Sequence, residues 1–320
     1  MNPRLFLADL EQKPAALDEL ASRLYAANPF AAVPTESRRV AFVGMGSSRY
    51  AAGVAALELR AAGIDAVAEY ASAAVGYPPA ADTLIVAISA TGESAETLDT
   101  VARYRGRSPV VALTNDPRSR LASAADFVVE MHAGTEAGGV ACRTFQHTAL
   151  LLQRLEAHLT GIPHDVEGLT RRVGDATRDL LNRRREWLPP VLEALDSRAG
   201  VFVIAPAERL SSAEQSALMI REGPRKPAVA CETGDWVHVD VYLTKTLDYR
   251  ALLFGGSRWD GQAIEWLAKR RARIVAVGQD VPGAAAVVRY AGDDDPLVAL
   301  HTETLVGELV AAAWWSGDAT

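Results

Sequence analysis

Two short stretches place small hydroxylated residues beside glycine at the end of an apolar run, a combination suited to holding an anion. In ISATGESAET, residues 88–97, Ser89, Ala90 and Thr91 lead into Gly92, and Ser94 follows. In GMGSS, residues 44–48, Gly46 precedes Ser47 and Ser48. Glycine lets the backbone bend and approach a ligand, while serine and threonine supply hydroxyl donors without bulk. Backbone N–H groups at a helix start add donors and partial positive charge, so a group of phosphate size can be bound with no lysine at all. The same residues can instead cap a helix, with Ser94 or Thr91 satisfying the first N–H groups over AETLDT. One such turn leaves the two readings even; two in one domain favour the anion. Neither turn is a P-loop, because GMGSSRY lacks the Gly-Lys-Ser/Thr ending, and its match to the dinucleotide fingerprint is loose.

The elements that must position these turns follow from hydrophobic period. Residues 15–27 show helical spacing, and RRVAFVG gives a β-branched strand running into GMGSS. A helix over RYAAGVAALELRAAG and strands over DAVAEYA and TLIVAIS come next, then AETLDTVARYRG as helix and PVVALTN as strand. SRLASAA (helix), DFVVEM (strand) and the long helix RTFQHTALLLQRLEAHLTG complete the half. Strands apolar through their whole length, alternating with helices, indicate an α/β fold with a mainly parallel sheet covered on both faces. After a charged helical stretch the pattern restarts: strand RAGVFVIAP, helix SSAEQSALMIREG, strand RALLFGG, helix GQAIEWLAKRRA, strand RIVAVG. The expected organisation is a first domain over 1–165, a helical linker over 166–195 and a second domain over 196–320. In parallel α/β sheets ligands sit beyond the carboxyl ends of the strands, so the two hydroxylated turns lie side by side if their strands are neighbours.

Composition narrows the partners. At 320 residues and 49% hydrophobic, the chain can build two buried cores. A net charge of -7 argues against nucleic acid held by bulk electrostatics. Cys142 and Cys231 stand far apart with no metal spacing, and the six histidines are scattered, so neither a disulfide framework nor a metal or organic cofactor is called for. The N-terminus mixes acids with apolar residues, unlike a secretory leader, and no run reaches about 18 uninterrupted apolar residues. A cytoplasmic protein without membrane insertion is the expectation. The apolar helices TALLLQRLEAHL and LVGELVAAAWW serve a core or a contact surface equally well, and HTETL at 301 reads as a helix start.

The order GMGSS, ISATGESAETL, AGTEAGGVACRTF resembles the sugar isomerase (SIS) domain family, in the tandem arrangement of the isomerase half of glucosamine-6-phosphate synthases. There the corresponding segments read G-x-G-T-S, L-S-Q-S-G-E-T and A-G-T-E-x-G. The resemblance covers nearly the whole chain and implies two SIS domains and a phosphosugar ligand. Ser47 and Ser48 fall on the first loop's threonine and serine, and Ser89, Thr91 and Ser94 on the second loop's hydroxylated positions. Ala90 replaces a glutamine and Arg143 a lysine. In the second half, EQSALMIREG resembles the helix ending in the family's catalytic glutamate, here Glu222, and the ring-opening histidine matches His238 in GDWVH. A carboxylate can shuttle a proton between C1 and C2 of a sugar, and an imidazole can open the ring. Read alone, Glu222 is a solvated helix end and His238 a partly buried loop residue.

The resemblance also implies a homodimer in which each subunit's histidine completes its partner's site. Departures bear on the reaction. Nothing resembling a glutaminase domain precedes residue 40, no lysine follows Lys269 to stand for the family's C-terminal lysine, and Met219 occupies another active-site lysine's position. Val239 and Asp240 replace a glycine-proline. IAPAERLSS lacks the glycines of GMGSS, so one phosphate site per chain is expected. These points favour aldose-ketose isomerisation or amino-sugar-phosphate deamination over synthesis from ammonia. The alternative is a sugar-phosphate-binding regulatory protein without turnover.

Overall fold

The chain, described over residues 1–317 in a computed structural model, forms two compact units. The first helix, α1 (Pro3–Glu11), starts at Asn2, whose side chain accepts the N–H groups of Arg4 and Leu5, with Pro3 pre-set for the first helical position. It was not expected from period, and it belongs to the second unit. α2 (Lys13–Ala26) leads into the first.

The first unit comprises Ala16–Thr135 and Arg143–Thr170. Its elements are β1 (Arg39–Gly44), α3 (Ser47–Ala61), β2 (Asp65–Tyr70), β3 (Thr83–Ile88), α4 (Ala95–Tyr104), β4 (Val110–Thr114), α5 (Arg120–Ala124), β5 (Phe127–Glu130) and α6 (Arg143–Thr160). All pairings are parallel, in the order β2-β1-β3-β4-β5. Every residue of β3 and β4 is buried, as uninterrupted apolar strands require when helices cover both faces. On one face Val43, Ile85, Ala87, Val110 and Ala112 pack with Val101 and Tyr104 of α4.

α7 (Val166–Asn182) and α8 (Arg184–Leu195) lead into β6 (Val201–Ala205), α9 (Leu210–Glu222), β7 (Ala228–Glu232), α10 (Thr233–Trp236), β8 (Arg250–Phe254), α11 (Asp260–Lys269), β9 (Arg273–Val277), β10 (Ala286–Val288), α12 (Pro296–Thr302) and α13 (Thr304–Ser316). The second sheet, also parallel, runs β10-β9-β8-β6-β7. Strand for strand this repeats the first: the opening strand lies between the second and the third. β7 and β10 are edge strands with broken burial, which hid them from a search for apolar runs.

The expected boundaries are corrected in three places. The second unit gathers Met1–Ala15, Glu136–Cys142 and Arg171–Thr320. Gly138 explains part of this: its N–H donates to Asp9 Oδ2 at 2.7 Å, its carbonyl accepts from Asn2, and a Cβ there would lie 2.5 Å from Phe6 Cα. Phe6 in turn meets Trp315 at 5.9 Å between ring centroids. Residues 166–195 are not a separate linker, because the division falls inside α7 and α8 packs on β8, β9 and β10. The stretch Pro296–Ser316 is long and apolar enough to cross a membrane by composition, and 83% of its apolar window is buried within the fold.

Candidate functional site

In the first sheet the connection from β1 leads to β2 on one side while β3 lies on the other, so the chain diverges beyond the ends of β1 and β3. Ligands of open α/β sheets bind at such a divergence. The two hydroxylated turns meet there. β1 and β3 are in register through Val43 and Ala87, and a Cβ on Gly44 would lie 3.3 Å from the carbonyl oxygen of Ile88 and 2.9 Å from Ser48 Cβ. Gly46, at φ +52, precedes α3 without any side-chain cap, and Ser47 and Ser48 form the first helical residues, partly exposed. Among the described residues, the N–H groups of Ser47, Ala90 and Thr91 have no protein acceptor.

The second turn is shaped from within. Gly92 has φ +68, and a Cβ there would lie 2.0 Å from Ser119 Oγ, so only glycine fits. Its N–H donates to the Ser89 carbonyl at 3.1 Å and to Ser89 Oγ at 3.2 Å. The Ala90 carbonyl is held by the N–H of Asn115 at 3.0 Å and by Thr114 Oγ1 at 3.2 Å. Thr91 is exposed, its hydroxyl accepting the Glu93 N–H. Ser94 does cap α4: Oγ accepts from the Thr97 N–H at 3.4 Å and donates to Glu96 Oε2 at 2.9 Å. Glu96 lies below the usual carboxylate range through a bond to its own backbone N–H and this bond from Ser94. For Ser94 the capping role is therefore occupied, and its hydroxyl proton is engaged.

Sequence reasoning passed over Arg49 and Asn115. Arg49 stands in the first turn of α3, its guanidinium 4.2 Å from the centroid of the Tyr70 ring, and Tyr70 is the β2 partner of Gly44. Asn115 ties the third segment to β4, with Nδ2 donating to Thr144 Oγ1 and Oδ1 accepting the Ala133 N–H. Arg143, the first residue of α6, is buried and donates to the Thr135 carbonyl.

The equivalent place in the second unit is filled. The turn after β6 is a 3-10 turn, Ala207–Arg209, with no glycine. Arg209, buried, donates to the carbonyl of Gly255 just past β8 and lies 3.5 Å from Glu303. Asp260 Oδ2 accepts from the N–H groups of Gly256 at 2.7 Å and Ser257 at 3.1 Å, and from Gln279. Burial pushes Glu303 up to about 7, Arg209 opposing, and also raises Asp260.

Glu222 and His238 both lie in the second unit but are not brought together. Glu222 ends α9, partly buried, and burial raises its carboxyl against the pull of Arg221. Among the described residues nothing hydrogen-bonds to it. α9 returns the chain to the edge where β6 and β7 begin, as the Val201 N–H donating to the Pro227 carbonyl shows. His238 follows α10, beyond the far end of β7, and is exposed. It lines a hollow of about 370 Å³ with Glu232, Asp235, Trp259 and Gln262. A five-residue strand separates the two, roughly 15 Å at about 3.3 Å per residue. The sixteen positions from Glu222 to His238 thus include a strand that carries the chain across the sheet. Met219, in the interior of the second unit, is 1% exposed. Among the described residues no group of three His, Cys, Asp or Glu is placed to hold a metal ion.

Residues 35–155 match the SIS domain family. Over 303 residues the chain is 27% identical to an isomerizing glutamine-fructose-6-phosphate aminotransferase of Aeropyrum pernix, an alignment covering 87% of this chain and 48% of that protein. The chain thus spans about half the length of the curated relatives it matches. Among solved structures, the C-terminal domain of glucosamine-fructose-6-phosphate aminotransferase from Francisella tularensis superposes with a TM-score of 0.82 at 17% identity, covering 98% of this chain and 96% of that one. A glucosamine-6-phosphate deaminase from Thermotoga maritima does so with a TM-score of 0.75 at 18% identity, covering 98% and 95%. The family match falls on the β1–β5 half.

Proposed function

We propose that the chain acts on a phosphorylated hexose or amino-hexose, as an aldose-ketose isomerase or an amino-sugar-phosphate deaminase. The observation that carries this is the meeting of two turns rich in hydroxyls and unpaired N–H groups where β1 and β3 diverge, inside the segment that matches the SIS family. Ser47, Ser48, Ser89 and Thr91 hold the phosphate with the backbone N–H groups of Ser47, Ala90 and Thr91. Gly46 and Gly92 give the turns their shape. Ser94 contributes by fixing the start of α4. The β6–β10 unit, with the same strand order, is a diverged second SIS domain.

In the reaction, Glu222 moves a proton between C1 and C2 beside the carbonyl or imine. A partly buried carboxylate with a raised pKa and no hydrogen-bond partner is suited to that transfer. His238 opens the ring. Its distance from Glu222 within one chain supports a homodimer in which the histidine serves the partner's site. The apolar residues exposed around it, Val239, Tyr242, Leu243 and Leu247, are suited to cover by a second copy.

The test is a thermal-shift screen of hexose, pentose and amino-sugar phosphates, then turnover of whatever stabilises the protein. Glu222→Gln should abolish turnover, by about 100-fold or more, with the ligand-induced shift retained. Absence of any stabilising phosphosugar sinks the proposal. A second reading, phosphosugar binding without turnover, is favoured by the buried Met219 at a position where the resemblance implies a lysine. It predicts stabilisation with no turnover in the unaltered protein.

A further inference from the structure

We propose that the first unit holds a second ligand site, away from the hydroxylated turns, which takes a small α-amino acid with its carboxylate on Arg154 and its ammonium on Asp165. The site is independent of the phosphosugar reading. Thr144, which Asn115 ties to the end of β4, precedes Arg154 on α6 by ten residues, roughly 15 Å at about 1.5 Å per residue.

Arg154 is the residue that calls for a ligand. In α6, Arg154, His158 and Thr160 are the three residues outside the buried set. His158 Nε2 bonds the Val33 carbonyl at 2.8 Å, and the Thr160 hydroxyl donates to the Glu156 carbonyl at 2.8 Å. Arg154 has neither an acceptor nor a counter-charge among the described residues, and its Nε is buried. A buried donor without a partner is costly, and in a folded protein it marks the place of a water, an ion or a ligand.

The side chain lines a hollow of about 200 Å³, with Leu24 and Tyr25 from the end of α2 and Asp165 and Glu167 from the start of α7. All of these lie in one unit. Sites for drug-sized molecules run to roughly 300–1,000 Å³, so this ligand is small. Asp165 Oδ1 accepts the Gly168 N–H at 2.8 Å, and Oδ2 has no partner among the described residues. The mixture of charges decides the class. A phosphate dianion on Arg154 would meet two carboxylates, and a simple cation would meet a guanidinium that is always charged. A zwitterion satisfies both ends: its carboxylate takes two parallel bonds from the Arg154 fork, and its ammonium donates to Asp165. Leu24 and the exposed ring of Tyr25 supply a wall for an apolar side chain.

The experiment is a thermal-shift screen of the full chain with the standard amino acids, then calorimetric titration of the most stabilising one beside propionate, ethylammonium and inorganic phosphate. The amino acid should bind at least about tenfold more tightly than any of these, since each lacks one half of the grip. Arg154→Gln and Asp165→Asn should each weaken it by about tenfold or more. Without ligand, Arg154→Gln should melt at the same temperature or higher, because the charge it removes has no counterpart. Asp165→Asn keeps an oxygen for the Gly168 N–H, and it decides the matter should Arg154→Gln not fold. The inference is overturned if no amino acid stabilises the protein, if phosphate or propionate binds as tightly as the best amino acid, or if either folded variant binds it with unaltered affinity.

Discussion

The turns after β1 and β6 occupy the same place in two sheets of the same strand order, yet their polar groups find different partners. After β1 the chain places Gly46, Ser47 and Ser48, and nearby N–H groups have no protein acceptor. After β6 it places Arg209, which bonds the Gly255 carbonyl and faces Glu303, while Asp260 takes the N–H groups of Gly256 and Ser257. A carboxylate from the second unit itself sits on backbone donors of the kind that the first unit leaves unpaired. The lesson is that two sheets of the same strand order can use the divergence point differently, one closing it as a structural clasp and the other leaving backbone donors open there.

The comparison can be broken from either side. The largest effect is expected from Arg209→Ala, which removes a buried bond to the Gly255 carbonyl and, above about pH 7 where Glu303 is ionised, its counter-charge; breaking such a pair costs about 3–5 kcal/mol, read by denaturant unfolding at about pH 8. A loss below about 1 kcal/mol would show that the clasp is dispensable. Next comes a pH effect. Glu303 is raised from 4.5 to about 7 by burial, so the folded state holds its proton more tightly than the unfolded one. Its contribution is fully present below pH 4.5 and is lost as pH rises to about 7, a decline on the order of 3 kcal/mol. Glu303→Gln should flatten that slope in unfolding curves measured across the window. The smallest effect belongs to the first unit: Ser94→Ala removes the α4 cap and should cost about 1 kcal/mol. If it instead costs nothing in stability while weakening phosphosugar binding many-fold, Ser94 is a ligand contact and not a cap.

Much of this arrangement was legible because it is local. TLIVAIS and PVVALTN are unbroken apolar runs, and β3 and β4 are buried at every residue. Gly92 sits at a positive φ in a turn that its neighbours announce. The adjacency of the two turns follows once β1 and β3 pair. What escaped is what depends on distant chain. β7 and β10, at sheet edges, need only a few buried side chains and therefore carry little apolar signal. The burial of Arg209 depends on Gly255 and Glu303, 46 and 94 positions away, and no local pattern records that. Glu222 and His238 were assigned through the family resemblance and not through any local pattern, and within one chain the strand between them sets them apart.

Gly138 and its neighbours have a last consequence, for biosynthesis. Residues 1–15 are synthesised before the segment near position 140 and the residues beyond 171 with which they are grouped. Neither unit is one continuous length of polypeptide, so neither can be excised by a single cut. Helix α1 must wait for its neighbour Trp315 until about 300 further residues have been synthesised.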